Sequence, residues 1–115
     1  MTPAMDGAQF AAHCDELRKE LVRDFTSPAS GSAVAARIDA LGLDHAQSRQ
    51  LAAILDTVVG DTVYTLLLAL DGAASLGSCQ QQFTLTGEDG NVIGDIEAAA
   101  WQCFHGDTVS GGTPG

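Results

Sequence analysis

Apolar residues return along the first quarter of the chain with helical spacing. Phe10, Cys14, Leu17, Leu21 and Phe25 recur at four-three-four-four intervals, which places them on one stripe of an α-helix. Asp15, Glu16, Arg18, Lys19, Glu20 and Arg23 fall on the opposite side and predict a solvated face. Asp6 followed by Gln9 has the capping-box pattern, in which each side chain satisfies the other's backbone N–H, so the helix is expected to begin near Gly7. Thr26-Ser27-Pro28 stops it, because proline cannot continue the hydrogen-bond ladder. A short second helix is predicted near Ala33 to Leu41, with Val34, Ile38 and Leu41 on one side and Gly42 as a left-handed C-cap.

Asp44 with Gln47 repeats the capping-box pattern and opens the longest element. Leu51, Ile54, Leu55, Val58, Thr62, Leu66, Ala69 and Leu70 mark its expected buried face. Past Val63 the apolar residues surround the helix, so its C-terminal half is expected at the centre of the core. Gly60 interrupts the middle, where glycine costs about 1 kcal/mol relative to alanine, and predicts a close packing contact. Asp71-Gly72 ends the element. The period then changes to two: Gln82-Phe83-Thr84-Leu85-Thr86 alternates polar and apolar, Gly87 to Asn91 is turn chemistry, and Val92-Ile93 reads as a returning strand. Asp95 is the expected N-cap of a closing helix from Ile96 to His105 that carries Trp101 and Phe104. The predicted fold class is α+β, mostly helical with about four helices and one β-hairpin before the C-terminal helix. Residues 1–106 form one expected globular domain and 107–115 a flexible tail.

Length and composition agree with that reading. A chain of 115 residues with 45% hydrophobic and 17% charged residues suits one folded domain with its own core. The three cysteines, Cys14, Cys79 and Cys103, are odd in number and show no paired spacing, which points to reduced thiols and a reducing compartment. Met1 to Met5 lacks the positive start of a signal peptide. The most apolar run, Val63 to Leu70, is short for a bilayer and is flanked by Asp61 and Asp71. A cytoplasmic, non-membrane protein is therefore expected.

Charge changes the picture most. No Lys or Arg follows Arg49, yet Asp56, Asp61, Asp71, Glu88, Asp89, Asp95, Glu97 and Asp107 do. The formal net charge is -10, a field that repels nucleic acid and anionic lipid and attracts a basic protein. Asp56, Asp61, Asp71 and the turn pair Glu88-Asp89 are the candidate partner-binding residues. Asp71 has a competing structural role as a helix cap.

Catalytic and metal motifs are weak. Gly72 to Ser78 is glycine-rich like a phosphate loop, but Ser78 stands where such a loop carries lysine. Ala73, Ser75 and Gly77 lack the strand-turn-helix setting of a nucleophile elbow. A calcium-loop register built on Gly90 puts Leu85 and Ile96 at ligand positions. His13 and Cys14 point to different helix faces, as do Cys103 and His105. A site assembled across helices, such as Cys14 with His105, stays open. No cofactor, metal or catalytic residue is predicted.

The segment Leu70-Asp71-Gly72-Ala73-Ala74-Ser75-Leu76-Gly77, followed by Gln81-Gln82-Phe83 and Asp89-Gly90-Asn91, resembles small uncharacterised bacterial proteins of immunity-protein type. The resemblance covers about a third of the chain, and it implies a toxin as the basic partner while transferring no site residue. Three functions follow as expectations. The first is an acidic immunity- or antitoxin-like antagonist that occludes a basic partner. The second is an accessory or structural subunit that self-associates through an apolar helix face. The least supported is a small enzyme.

Overall fold

A computed structural model describes residues 5–106 of the chain. Four α-helices are present among them: α1 (Gly7–Phe25), α2 (Ala33–Asp39), α3 (His45–Leu70) and α4 (Ile96–Trp101). A 3₁₀ turn over Pro28–Ser30 joins α1 to α2, and a π-helical turn over Gln102–Gly106 continues α4. The tail expected from 107 onward lies outside the described residues.

Local chemistry sets the helix ends. In α1 the Gln9 N–H donates to Asp6 Oδ1 at 2.8 Å while the Asp6 N–H donates to Gln9 Oε1 at 2.9 Å. Asp44 and Gln47 repeat this reciprocal pair at 2.8 and 3.0 Å at the start of α3. Ser32 caps α2 by accepting from the N–H groups of Val34 and Ala35. At the far end of α3, Gly72 adopts φ +79°. The Ala73 N–H then reaches the Leu68 carbonyl at 2.8 Å and the Gly72 N–H the Ala69 carbonyl at 3.1 Å. These are the two bonds of a Schellman termination, which a left-handed glycine allows.

The apolar stripe of α1 faces inward except at Leu17, whereas α3 is turned in part from the face its apolar spacing suggested. The inward line of α1 runs Gly7, Ala11, Cys14, Arg18, Leu21, Phe25, while Leu17 is exposed. Arg18 and Asp15, expected on the solvated face, are instead half-buried toward α3. On α3 the inward side carries Leu55, Val59, Gly60, Val63 and Leu67, whereas Ile54, Val58, Thr62 and Leu66 face solvent. The central-core expectation holds only near the C-terminus of α3, where Leu67 and Ala69 are buried. Apolar residues lie around most of the helix, so periodicity left its rotation undetermined. At Gly60 the Arg18 side chain of α1 lies close: a β-carbon there would be 3.2 Å from Arg18 Cδ.

α1 packs against both α3 and α4, and α3 against α4. Leu67, Ile93, Ile96 and Ala100 form the buried cluster, with Phe10, Cys14, Val63, Tyr64, Leu85 and Phe104 packed around it. At its edge the start of α1 meets the backbone before α4, where a β-carbon on Gly7 would collide with the Gly94 carbonyl oxygen.

The β-hairpin and the α+β class are not found: the described residues are helical, with no β-strand. The chain does reverse over Gly87 to Asn91, with the Gly87 N–H on the Asn91 carbonyl at 2.9 Å and the Ile93 N–H on the Leu85 carbonyl at 2.8 Å. Only an isolated bridge between Thr86 and Val92 results. Asp89 holds the turn through its side chain, accepting from the Asn91 N–H and Nδ2 at 3.0 Å each. Leu85 and Ile93 anchor the reversal on the core, so packing, rather than a hydrogen-bond ladder, secures this segment.

Candidate functional site

The polar groups that converge do so where α1, α3 and the end of α4 meet. Arg18 Nε and Nη2 reach Asp15 Oδ1 at 2.9 and 2.8 Å, and its Nη1 pairs with Asp56 of α3. The guanidinium lies 5.8 Å from the centre of the Phe104 ring, within cation–π range. Side-chain exposure of only 16% for Arg18 and 13% for Asp15 makes this a partly desolvated pair, stronger than a surface ion pair. Lys19 adds a second, more exposed contact to Asp15 at 3.3 Å.

Beside this pair runs a groove of about 290 Å³, lined by Arg18, Asp56, Gly60, Asp61, Phe104 and His105. The His105 ring stands edge-on to Tyr64 at 4.7 Å and lies 4.7 Å from Trp101. Tyr64 also approaches Trp101 at 6.5 Å and Phe104 at 6.1 Å. Trp101 is exposed. Asp61 is exposed, and no ion pair holds it among the described residues. An acid without a partner beside a half-open ring cluster is suited to seat a cationic side chain.

The five candidate acids do not form one patch. Asp56 and Asp61 share the groove, but Arg18 already answers Asp56. Asp71 accepts from the Glu97 N–H at 2.9 Å, capping α4 from across the fold. Asp95 sits at the N-cap position with φ +55° and makes no side-chain cap bond, so the capping role expected of it passes to Asp71. Glu88 and Asp89 line a different depression of about 340 Å³ with Met5, Phe10, Leu85 and Ile93. Sequence reasoning missed Arg18 at the groove and named His105 only as a companion for Cys14; Tyr64 and Trp101 join the site through the His105 ring. The one available signal was the four-three spacing from Gly7 through Arg18 to Phe25, an inward line holding a charged residue.

The thiols show no comparable convergence. The three cysteines form no disulfide. Burial, and secondarily the charge of Cys103, push the Cys14 thiol above its ordinary value of 9.0, the reverse of an activated nucleophile. His105, the proposed cross-helix companion of Cys14, packs on Tyr64 and Trp101. Among the described residues, no group of three or more His, Cys, Asp or Glu is placed to hold a metal ion. A depression of about 820 Å³ lies between the start of α1 and α4, where small residues such as Gly7, Ala8, Gly94 and Ala98 alternate with the polar Asp6, Asn91 and Gln102.

α3 itself has 26 residues and an 18-residue window of mean hydropathy 1.6, of which 6% is buried. By length and composition it is sufficient to cross a bilayer, in contrast to the short run Val63 to Leu70, and it carries Asp56 and Asp61 within its span. Comparison with family models, curated proteins and solved structures found no match.

Proposed function

We propose that this chain is an acidic binding protein that docks on a basic protein partner, as an immunity- or antitoxin-like antagonist does. The observation that carries this reading is Asp61, exposed in a groove with Phe104 and His105 and without an ion pair among the described residues, on a chain without a base beyond Arg49. A lysine or arginine of the partner would enter the groove, pair with Asp61 and lie against the Phe104 and His105 rings that share it. Glu88 and Asp89 would contribute to the long-range field that steers encounter. Asp56 and Asp71 support the surface from within, through Arg18 and the cap of α4. The proposed location is the cytoplasm, since carboxylates at mid-span disfavour placing α3 in a bilayer.

The test is affinity capture from the native host at low and high salt, with Asp61→Lys and Glu88→Lys variants beside the wild type. One stoichiometric basic protein that elutes as salt rises, and is lost about tenfold more readily by Asp61→Lys, is expected. Retention of that protein unchanged by either reversal would sink the reading. A second reading, self-association, draws on the solvent-facing Ile54, Val58 and Leu66. Concentration-dependent oligomers insensitive to salt would favour it.

A further inference from the structure

Two of the three thiols face one seam of the fold. α1 packs against α4 and against the π-helical turn that continues it, and two contacts fix how these elements run past each other. At one end a β-carbon on Gly7 would lie 3.2 Å from the Asp95 carbonyl carbon. At the other, the Arg18 guanidinium lies 5.8 Å from the centre of the Phe104 ring. Gly7 meets Asp95 and Arg18 meets Phe104, so α1 and α4 run in the same direction. At about 1.5 Å per residue, Cys14 lies about 10 Å beyond Gly7 and Cys103 about 12 Å beyond Asp95, which sets the two nearly level. Both turn toward the seam. Cys14 is half-buried and packs on the core cluster, while Cys103 follows Ala99 by one turn and lines the α1–α4 depression with Gly7 and Ala8. Their closeness shows in the acidity of Cys14, which burial raises first and the charge of Cys103 raises further.

We infer that Cys14 and Cys103 are a reversible dithiol–disulfide pair, oxidised by hydrogen peroxide, that staples α1 to the π-helical turn. The inference stands apart from the basic-partner reading. Cys103, on the wall of the depression, meets the peroxide first. Its sulfur attacks one peroxide oxygen, the O–O bond breaks, and the departing hydroxide leaves as water with the thiol proton. Cys14 then attacks the sulfenic sulfur of Cys103; the S–S bond forms, and the sulfenic hydroxyl leaves with the Cys14 proton as a second water. Two electrons pass from the two sulfurs to the peroxide, and a dithiol reductant returns them by exchange, which suits a transient bond in a reducing compartment. Exposed Cys79 sits in the turn after α3 and takes no part. Phe104 and His105 follow Cys103 directly, so the bond holds these two groove residues against α1.

The test uses the full chain carrying Cys79→Ser, which removes the exposed thiol. Hydrogen peroxide is added, remaining thiols are blocked with iodoacetamide, and the intact mass is read without reductant. The expected product is an unalkylated monomer lighter by two hydrogens, restored by dithiothreitol, whose digest joins the Cys14 peptide to the Cys103 peptide. The folded chain should cross-link about tenfold faster than the chain in denaturing urea, because the fold holds the sulfurs together. Closing so long a loop should raise the melting temperature of the oxidised monomer by about 10 °C. Cross-linking no faster in the fold than in urea overturns the inference. So does a monomer that carries sulfinic acid on Cys103 while Cys14 is alkylated. Dimers linked through Cys103, or an oxidised monomer that melts no higher than the reduced one, overturn it too. Cys14→Ser and Cys103→Ser should each abolish the mass loss, and a loss that persists in either refutes the pairing. Should a serine variant fail to fold by circular dichroism, the urea comparison on the parent chain still decides.

Discussion

Arg18 and Gly60 make one unit although 42 positions separate them in the sequence. Gly60 lets α1 come close enough for Arg18 to bridge Asp15 and Asp56. Alanine at 60 gains about 1 kcal/mol of helix propensity but crowds Arg18, so Gly60→Ala should lie close to the wild type. Gly60→Val adds branches that displace the guanidinium and strand a half-buried Asp15, a loss of about 2–3 kcal/mol. Urea unfolding reads both, and a valine variant as stable as the parent would refute the coupling. Cys14 gives a second prediction at this scale. Its thiol is raised in the fold, first by burial and then by Cys103, so the folded state favours the protonated form. That contribution is fully present below the ordinary value of 9.0 and is lost as pH rises through the raised folded value. Iodoacetamide at pH 8 should label exposed Cys79 about tenfold faster than Cys14, as mass mapping of peptides would show; equal rates would contradict it.

Among the elements, α4 depends on another helix's terminus. Asp71 closes α3 and accepts the Glu97 N–H of α4, while Asp95 at the nominal N-cap lies in the left-handed region without a cap bond. Asp71→Ala should therefore lower stability by about 1 kcal/mol. Asp95→Gly should hold stability or raise it by up to about 1 kcal/mol, because glycine adopts positive φ without the side-chain clash. Thermal unfolding of the two variants is the check, and the reverse order would mean that Asp95 is the true cap. The link matters for the proposed function, since the π-helical turn that continues α4 carries Phe104 and His105 to the groove, and Trp101 packs against His105. Loosening Asp71 would thus weaken partner binding without any direct contact from its carboxylate.

For the whole molecule, charge and apolar exposure oppose one another. A net charge of -10 on 115 residues keeps copies apart while destabilising the compact chain through self-repulsion. Raising NaCl from about 20 mM to about 500 mM shortens the Debye length from roughly 20 Å to roughly 4 Å. The melting temperature should rise by a few degrees as repulsion is screened, and partner binding should weaken over the same range. A melting temperature that falls with salt would place attractive pairs such as Arg18–Asp56 above the net repulsion. The exposed Leu41, Ile54 and Val58 are tolerable on such a charged body.

The ends of α1 and α3 were readable from the residues themselves, whereas the cap of α4 was not. Asp6 with Gln9, Asp44 with Gln47, and Asp71-Gly72 act within a turn of their own positions, and each does what its spacing implies. Acidity was equally plain, because net charge is a sum over residues. Periodicity was less decisive: it orients a helix only when one side is polar, and α3 is apolar around much of its circumference. Alternation at Gln82 to Thr86 suggested a strand, but a ladder needs a partner along its length, and pairing here stops at Leu85 and Ile93. Tertiary packing decided which side of α3 meets α1, put Arg18 rather than Leu17 on the inward line, and brought Asp71 to the start of α4. Those outcomes depend on contacts between residues far apart in the chain, whose free energies local sequence does not contain.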